Sequence, residues 1–308
     1  MVNLRRLSKF EGELDDLIED YCTLFQNKYR YSIRYQINNI FTDLHDSRKE
    51  GFVLLDDGDP VGIIIYHVDH SVGVIHFFHL KQRYAQITAF KTIFQHTLKK
   101  IKQNLPKIVF LTEIFNFGPK QRRTLMAQFD FEEKHRDLYH LDIQRYRQNR
   151  EPQEGLVFKG VEYENLEKLS EITYFSFAGS MELEVYPVGF ERDDFVQQLQ
   201  NTINGLYGRF LPDYSMEIYH EDELVGMILS VSGGEGVELH QFLLAPRSWG
   251  KGYGHAMLDQ FIQLIRDRKE FFSVTTMISH DNLKVRRLLE NMGFKKMVEI
   301  PVFTRILK

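Results

Sequence analysis

Residues 244–256 read Leu-Ala-Pro-Arg-Ser-Trp-Gly-Lys-Gly-Tyr-Gly-His-Ala, with three glycines between an apolar strand-like run and an apolar-periodic segment. The first N–H groups of a helix have no partner within it, and the helix dipole adds positive charge there. Glycines let a diphosphate come close to those donors. The stretch therefore predicts a pyrophosphate site, and a tight turn that needs glycine only for its shape is the alternative.

Two common phosphate-binding motifs do not fit these glycines. A Walker loop needs Ser or Thr after its Gly-Lys pair, whereas Gly252 follows Lys251. A dinucleotide-binding fold places its glycines after its first strand, and an acidic residue closes the next strand. Here the loop comes late in its half of the chain, and the next strand-like run, residues 272–278, ends without an acid.

A repeat with an offset of about 164 residues divides the chain into two similar halves. Turns that end at Gly62 and Gly226 each precede an apolar strand, and the runs 72–80 and 236–244 keep the same offset. A polar stretch at 145–155 contains Pro and Gly and has no apolar period, which is typical of a linker. The sequence therefore predicts two domains, residues 1–147 and 156–308.

The sequence patterns of the two halves predict the same order of helices and strands. Two helices are followed by a hairpin, a longer strand, an amphipathic helix, a strand, a short helix and closing strands. This order predicts an α+β fold, with a mixed, partly parallel twisted sheet flanked by helices in each domain. The paired helices are expected at about 10–29 and 34–48 in the first half and 163–178 and 191–205 in the second.

The glycine loop resembles the cofactor motif of the GNAT superfamily of N-acetyltransferases, in which an apolar strand and a Pro precede Arg/Gln-x-x-Gly-x-Gly/Ala. Pro246 stands six residues before Gly252, as is common in that family. The stretch from Asn282 to Phe294 resembles the family's Asn-x-x-Ala-x-x-Leu-Tyr-x-x-x-Gly-Phe helix. The resemblance covers about residues 156–308 and reaches the first half only through the repeat. It implies two tandem acyl-CoA N-acyltransferase-like domains.

The resemblance implies that the second half binds acetyl-CoA as a co-substrate. Backbone groups of Phe242, Leu243 and Leu244 would pair with the pantetheine arm like an added strand. Asn282 would contact that arm or shape the end of the next strand, and it also fits the N-cap position of the following helix. The pyrophosphate would be held by backbone amides of Gly250, Lys251, Gly252, Tyr253, Gly254 and His255.

Two positions depart from the family pattern. Trp249 stands where the family has Arg or Gln, and we expect the loop to keep its function because most phosphate contacts there come from the backbone. Leu289 stands where the family often has a tyrosine that acts as general acid, and leucine cannot donate a proton. Tyr253 and Tyr214 are candidate replacements, and nothing in the sequence chooses between them.

Acyl transfer to an amine needs the amine in its neutral form, although a lysine-like amine titrates near a pKa of about 10.4. Glu238 lies 14 residues before Gly252 and matches a strand glutamate that acts as base in some members of this family. Strand alternation predicts Glu238, His240 and Phe242 on one face. Glu238 is the first candidate base, His240 the second, and the amide of Phe242 a candidate stabiliser of the oxyanion. The alternatives are an exposed strand-end charge and a structural histidine.

The amine acceptor would contact the first two helices of the second half and their connection. Glu182, Glu184 and Tyr186 lie close together there, and carboxylates beside aromatic rings suit a cationic amine. A solvated acidic loop is the alternative. In the first half, Ile87-Thr-Ala-Phe-Lys91 replaces the glycine loop. We expect that half to keep the fold without a cofactor and to complete the acceptor site or cover a sheet edge of the second half.

Composition limits the classes of partner. A net charge of -4 gives no basic footprint for nucleic acid, and no apolar run approaches the length of about 18 residues that crosses a membrane. One cysteine suits a reducing cytoplasm, no metal-ligand motif is predicted, and a homodimer stays open. The predicted function is acetyl-CoA-dependent N-acetylation of a small-molecule or peptide amine. The alternative is a catalytically weak or inactive acyl-CoA sensor or interaction protein.

Overall fold

The computed structural model describes residues 2–30, 32–45, 49–147, 153–178, 180–232 and 236–307. These residues form two compact units. Unit 1 comprises Met1–His135 with Ile300–Lys308, and unit 2 comprises Arg136–Glu299. Residues 46–48, at the end of an expected helix, and 148–152, within the expected linker, lie outside the described ranges.

The first half of the sequence contains six strands and four α-helices among its described residues. The strands are β1 Val2–Arg6, β2 Glu50–Asp56, β3 Asp59–Asp69, β4 Val72–Leu80, β5 Ile108–Leu111 and β6 Glu132–Asp142. The helices are α1 Asp15–Tyr29, α2 Arg34–His45, α3 Ile87–Lys102 and α4 Pro119–Ala127.

The second half repeats this set. Its strands are β7 Leu156–Lys159, β8 Met216–His220, β9 Glu223–Ser232, β10 Val237–Leu244, β11 Ser273–Ser279 and β12 Lys295–Ile306. Its helices are α5 Leu166–Phe177, α6 Arg192–Ile203, α7 Tyr253–Arg268 and α8 Leu283–Asn291. Of the four paired helices, α1, α5 and α6 are shorter than the sequence pattern predicts, and α2 begins at the expected residue, Arg34. A short 3₁₀ turn, Tyr163–Asn165, takes the place of the first residues expected in α5.

Each unit has one mixed sheet, which confirms the predicted fold class. The strand order is β1-β2-β3-β4-β5-β12 in unit 1 and β7-β8-β9-β10-β11-β6 in unit 2. The pairs β4–β5 and β10–β11 are parallel, and the other pairs described in each sheet are antiparallel. The strand–helix–strand order around α3 and around α7 produces these parallel pairs, because a crossover is needed to return the chain in the same direction.

The sixth strand of each sheet comes from the other half of the sequence. Residues 136–142 of β6 pair with β11 in unit 2, whereas residues 303–306 of β12 pair with β5 in unit 1. The units therefore differ from the sequence halves 1–147 and 156–308 in their closing strands. In unit 2, β6 covers the edge of β11, which would otherwise present unpaired backbone groups.

The repeat is visible in the backbone conformation as well as in the order of elements. Left-handed residues, which are uncommon outside glycine, recur at the same offset in the hairpin turns and at the helix ends. A β-bulge also recurs, with His76 as the extra residue of β4 and His240 as the extra residue of β10. The left-handed pairs are Asp57 with Glu221, Leu105 with Lys269, and Asp130 with Gly293.

Each unit has its own apolar core between its sheet and its longest helix. In unit 2, Met257, Phe261 and Ile265 of α7 are fully buried against the sheet. In unit 1, Phe90 and Phe94 of α3 take the same place. Full burial of such a side chain stabilises the fold by about 1.5–3 kcal/mol. In unit 2, α7 therefore fixes the positions of the strands next to the cavity described below.

The repeated glycine of β9 gives a stability prediction. A Cβ on Gly226 would stand 2.6 Å from the Leu243 carbonyl oxygen and 2.8 Å from Leu244 Cδ2, so β10 would have to move. We expect Gly226→Ala to lower the free energy of unfolding by about 1–3 kcal/mol, measured by urea denaturation. Gly160→Ala is the control, because a Cβ there meets nothing within 4 Å. Equal effects of the two substitutions would contradict this close packing.

Candidate active site

Two parallel strands of unit 2 separate soon after they begin. β10 and β11 pair only at Val237 with Val274 and at Glu238 with Thr275. At the next step the Thr276 hydroxyl, rather than a backbone amide, donates to the Leu239 carbonyl at 2.9 Å. The gap between the two strands opens into a cavity of about 730 Å³, which is within the range of small-molecule and cofactor sites.

Four segments of unit 2 line this cavity. They are the end of β10, the glycine loop before α7, the end of β11 with the first turns of α8, and the connection between α5 and α6. The sequence-predicted residues that line it are His240, Phe242, Leu243, Leu244, Gly250, Gly252, Gly254, His255 and Asn282, together with Glu182 and Tyr186. Glu238, Lys251, Tyr253 and Glu184 lie outside the lining.

The edge of β10 that faces the gap is partly engaged within the chain. The Ala245 amide donates to Val225 of β9 at 2.8 Å, so by alternation the backbone groups of Leu244 and Phe242 face the gap. The Leu244 carbonyl accepts from Trp249 Nε1 at 2.9 Å and from Ser176 Oγ at 2.8 Å. This carbonyl, which the family resemblance implied as a partner of the pantetheine arm, therefore has partners within the chain.

Glycine is favoured at the three positions of the loop for different structural reasons. Gly250 and Gly252 have φ values of 77° and 86°, and Gly252 is the N-cap of α7. Side chains rarely adopt this left-handed conformation, so these two positions favour glycine. A Cβ on Gly254 would stand 3.2 Å from Leu288 Cδ2 and 3.5 Å from Phe242 Cζ. Gly254 thus allows close packing of α7 rather than a special turn.

Trp249 lies at the mouth of the cavity, and its side chain is half exposed. Besides the bond from its indole N–H to Leu244, the ring has Lys284 Nζ at 6.0 Å from its centroid. On the other side of the loop, Gln153 Nε2 donates to the Lys251 carbonyl at 3.2 Å. These contacts fix the loop that carries the first amides of α7.

Asn282 caps α8 and also binds a carboxylate. Its Oδ1 accepts from the Val285 amide at 3.2 Å, and its Nδ2 donates to Glu182 Oε1 at 2.8 Å. The Ser279 amide donates to both oxygens of Glu182, at 3.0 and 3.1 Å. Glu182 therefore ties the α5–α6 connection to the end of β11 and the start of α8, which the sequence did not indicate.

His240, the bulge residue of β10, has polar neighbours at both ring nitrogens. Its Nδ1 is 3.6 Å from Glu238 Oε1, and its Nε2 is 2.9 Å from the Tyr186 hydroxyl oxygen. The His240 ring also stacks on Tyr207, with centroids 5.3 Å apart. The side chains of Glu238 and His240 are 29% and 11% exposed. The two candidate bases are thus neighbours, and the buried Tyr186 lies next to His240.

Tyr186 is the tyrosine that the cavity contains. Burial raises the pKa of its phenol above the usual range, which keeps the hydroxyl protonated at neutral pH. Leu289, at the family's general-acid position, is fully buried and lines the cavity. The Tyr214 hydroxyl donates to Glu270 at 2.8 Å, and the Tyr253 ring packs on His220. Neither of these two predicted replacements lines the cavity.

In unit 1, the position equivalent to Met277 of the cavity is Glu113, and its side chain is buried in a polar cluster. Arg122 Nη1 donates to Glu113 at 2.7 Å, and Lys28 Nζ lies at 2.5 Å. The Tyr29 hydroxyl donates to the same carboxylate. Here β4 and β5 pair at four positions before they separate, and the start of α3 at Ile87 has no glycine. In unit 1 this charged cluster occupies the end of β5, at the position equivalent to the cavity lining of unit 2.

Three potential metal ligands of unit 2, Asp137, His280 and Glu299, lie close together. Asp137 is buried, and it already forms ion pairs with Lys296 at 2.6 Å and with Arg286 at 3.4 Å. Lys296 also pairs with Glu299 at 3.1 Å. Two cations therefore balance the two carboxylates, and this cluster is explained as an ion-pair network.

Comparison with known proteins agrees with this architecture. The protein-family model described as the acetyltransferase (GNAT) family matches residues 177–294 of the sequence. A search of curated proteins finds no match. No helix in the described part of the chain is both long and apolar enough to cross a membrane.

Several solved structures share the fold at low sequence identity. The GCN5-related N-acetyltransferase from Sphaerobacter thermophilus has a TM-score of 0.68 at 12% identity, covering 99% of this chain and 95% of its own. A tandem GNAT protein from the clavulanic acid biosynthesis pathway has a TM-score of 0.66 at 13% identity, covering 99% and 98%. A GNAT-family acetyltransferase from Colwellia psychrerythraea has a TM-score of 0.52 at 12% identity, covering 99% and 100%.

The Glu182 contacts give a second prediction. In Glu182→Gln, one carboxylate oxygen becomes an amide that competes with the donors of Ser279 and Asn282. We expect the free energy of unfolding to fall by about 1.5–3 kcal/mol, the usual contribution of hydrogen bonds to a charged group, measured by urea denaturation. Glu184→Gln, in the same turn but exposed, is the matched control. A larger loss of unfolding free energy in Glu184→Gln than in Glu182→Gln would show that the Glu182 contacts do not hold this connection in place.

Proposed function

We propose that unit 2 transfers an acetyl group from acetyl-CoA to a primary amine. The premise is that residues 177–294 match the model of the GNAT family, on a fold that the whole chain shares with solved GNAT proteins. The observation that carries the proposal is the cavity between the separated strands β10 and β11. The glycine loop at the N-terminus of α7 lies at one side of it, and the α5–α6 connection lies at the other.

The residues present fit acetyl-CoA as a co-substrate. The first amides of α7 supply N–H donors and the positive end of a helix dipole for the pyrophosphate. The gap beside β10 offers a strand edge for the pantetheine arm, with Phe242 as the residue that faces it. Leu244 and Asn282 would contribute less than the sequence suggests, because Trp249 and Glu182 already bond to them.

The acceptor would enter from the α5–α6 side. Glu182 supplies a carboxylate there, and Phe177 and Tyr186 supply aromatic rings. Carboxylates and aromatic faces both attract a cationic amine. These groups support a small-molecule or peptide amine as the acceptor, the class that the sequence predicts.

Removal of the amine proton is assigned to Glu238 and His240, which lie next to each other on β10. A base that accepts this proton contributes about 10²–10⁴-fold to the rate. Glu238 lies outside the cavity lining but is part-exposed, so the proton would reach it through water. The amide of Phe242 faces the gap and is the candidate donor to the oxygen of the thioester carbonyl.

A second function, an acyl-CoA sensor with little or no turnover, has its own supporting observation. Leu289 places an apolar side chain in the cavity where the family often has its proton donor. A leaving thiolate needs less help than an alkoxide because thiols titrate near a pKa of about 8.5. For this reason acetyl transfer remains the preferred proposal.

For unit 1, we propose a GNAT-like fold without a cofactor site.

The two functions are separated by binding and turnover measured on the same sample. We expect acetyl-CoA to bind in isothermal titration calorimetry, and free thiol to appear when amines of different size and charge are added. Acetyl-CoA without an amine is the control for hydrolysis. Binding without turnover on any amine would favour the sensor, and absence of binding would contradict both functions.

Glu238 gives a further prediction. Glu238→Gln keeps the side-chain shape but removes the basic oxygen, so we expect kcat to fall by about 10²-fold or more. The dissociation constant of acetyl-CoA should stay unchanged, because Glu238 does not line the cavity. Glu223→Gln, on the exposed start of β9, is the control. An unchanged pH–rate profile would remove Glu238 from the role of base.

A further inference from the structure

The direction of the hydrogen bonds around Tyr186 is fixed by its neighbours, beginning at Thr202 of α6. The Thr202 hydroxyl donates its one hydrogen to the Gln198 carbonyl oxygen of the preceding turn, at 2.9 Å. Its oxygen is therefore free to accept, and Gln198 Nε2 lies 3.2 Å away. A carboxamide nitrogen donates and does not accept. This contact identifies which end of the Gln198 side chain is the NH₂ group.

The orientation of Gln198 determines the orientation of Gln241. The second hydrogen of Gln198 Nε2 points to the Tyr186 oxygen at 2.9 Å, and Gln198 Oε1 is 2.5 Å from Gln241 Nε2. Gln241 Nε2 must donate in that contact. Its other hydrogen faces the Tyr186 oxygen at 3.3 Å. Of the three groups described within hydrogen-bond distance of the Tyr186 oxygen, two are thus donors to it.

His240 Nε2 is the third of these groups, and among them it is the one that can accept the Tyr186 hydrogen. The hydroxyl therefore donates to Nε2 at 2.9 Å. A neutral imidazole that accepts at one nitrogen carries its hydrogen on the other, so His240 holds its hydrogen at Nδ1. That N–H is on the side of Glu238, at 3.6 Å, a separation at which the two groups interact electrostatically rather than by a hydrogen bond.

We propose that Tyr186 is a positioning residue that holds His240 in the Nδ1–H form, so that Glu238 and not His240 accepts the amine proton. The proposal rests on the proposed acetyl transfer and deepens it by choosing between the two candidate bases. His240 cannot take a proton at Nε2 while Tyr186 donates there. Protonation would leave the buried Tyr186 hydroxyl facing three donors, which costs free energy.

The proton balance of the reaction is then complete. The acceptor ammonium gives one proton through water to the Glu238 carboxylate, which faces a neutral His240 N–H. The neutral amine forms the C–N bond at the thioester carbonyl carbon, and the C–S bond breaks. The second amine proton neutralises the departing thiolate, and the part-exposed Glu238 returns its proton to solvent.

A first test reads the tautomer directly and needs no turnover. In ¹⁵N NMR of the full chain, we expect His240 Nδ1 to appear protonated and Nε2 to appear as an acceptor nitrogen. In Tyr186→Phe this fixed form should be lost. Tyr174→Phe is the control, because Tyr174 packs in the same aromatic cluster outside the cavity lining. A hydrogen on Nε2 in the native protein would overturn the proposal.

A second test uses a double-mutant cycle in the thiol-release assay. We expect Tyr186→Phe to lower kcat by about 10-fold, a part of the contribution of a general base, with the KM for acetyl-CoA unchanged. In the background of His240→Gln the same substitution should have no further effect, because Tyr186 acts through His240. Tyr174→Phe should leave kcat unchanged.

The outcomes separate this proposal from the function it rests on. Equal losses for Tyr186→Phe in both backgrounds, or a loss carried by KM alone, would show that Tyr186 supports the fold and does not position His240. If the native protein acetylates no amine, the proposed function is wrong, and the NMR measurement still decides the form of His240.

Discussion

The early end of pairing between β10 and β11 is the constraint on which the rest of unit 2 depends. Two parallel strands that stay paired leave no space between them, whereas these separate after two pairs. The gap gives the α7 N-terminus, α8 and the α5–α6 connection a common cavity. In unit 1 the equivalent strands, β4 and β5, pair over four positions, and the buried Glu113 carboxylate with its cations occupies the strand end. One fold therefore supports a cavity in one unit and a filled strand end in the other.

Several polar groups around this gap already form hydrogen bonds within the chain. Trp249 and Ser176 bond to the Leu244 carbonyl, and Glu182 holds Asn282. Such contacts satisfy polar groups that would be costly to bury alone. A ligand that replaced them would have to return equivalent hydrogen bonds. The preformed partners thus favour molecules that carry both donors and acceptors along their length, such as an arm built of amide groups.

The sequence predicted those features of the fold that depend on neighbouring residues. The glycine loop, the capping Asn282 and the order of helices and strands follow from backbone conformation and apolar periodicity, which neighbouring residues determine. It failed where a contact joins distant residues. Nothing near Glu182 indicates that it meets Ser279, and nothing near Tyr186 indicates its bond to His240. The pattern of β6 predicted a strand but could not say which sheet it completes, because alternation fixes the faces of a strand and not its partner.

The exchange of closing strands has a consequence for how such a chain could arise. A single ancestral half, expressed alone, would lack its sixth strand or would have to fold its own closing strand back. Two copies that traded these strands would form a swapped dimer, a low-cost route to association. Joining the two genes end to end would make that trade permanent within one polypeptide. Each half could then differ in sequence, as residues 87–91 differ from the glycine loop at 250–254, yet neither could be discarded, because each supplies the other's last strand.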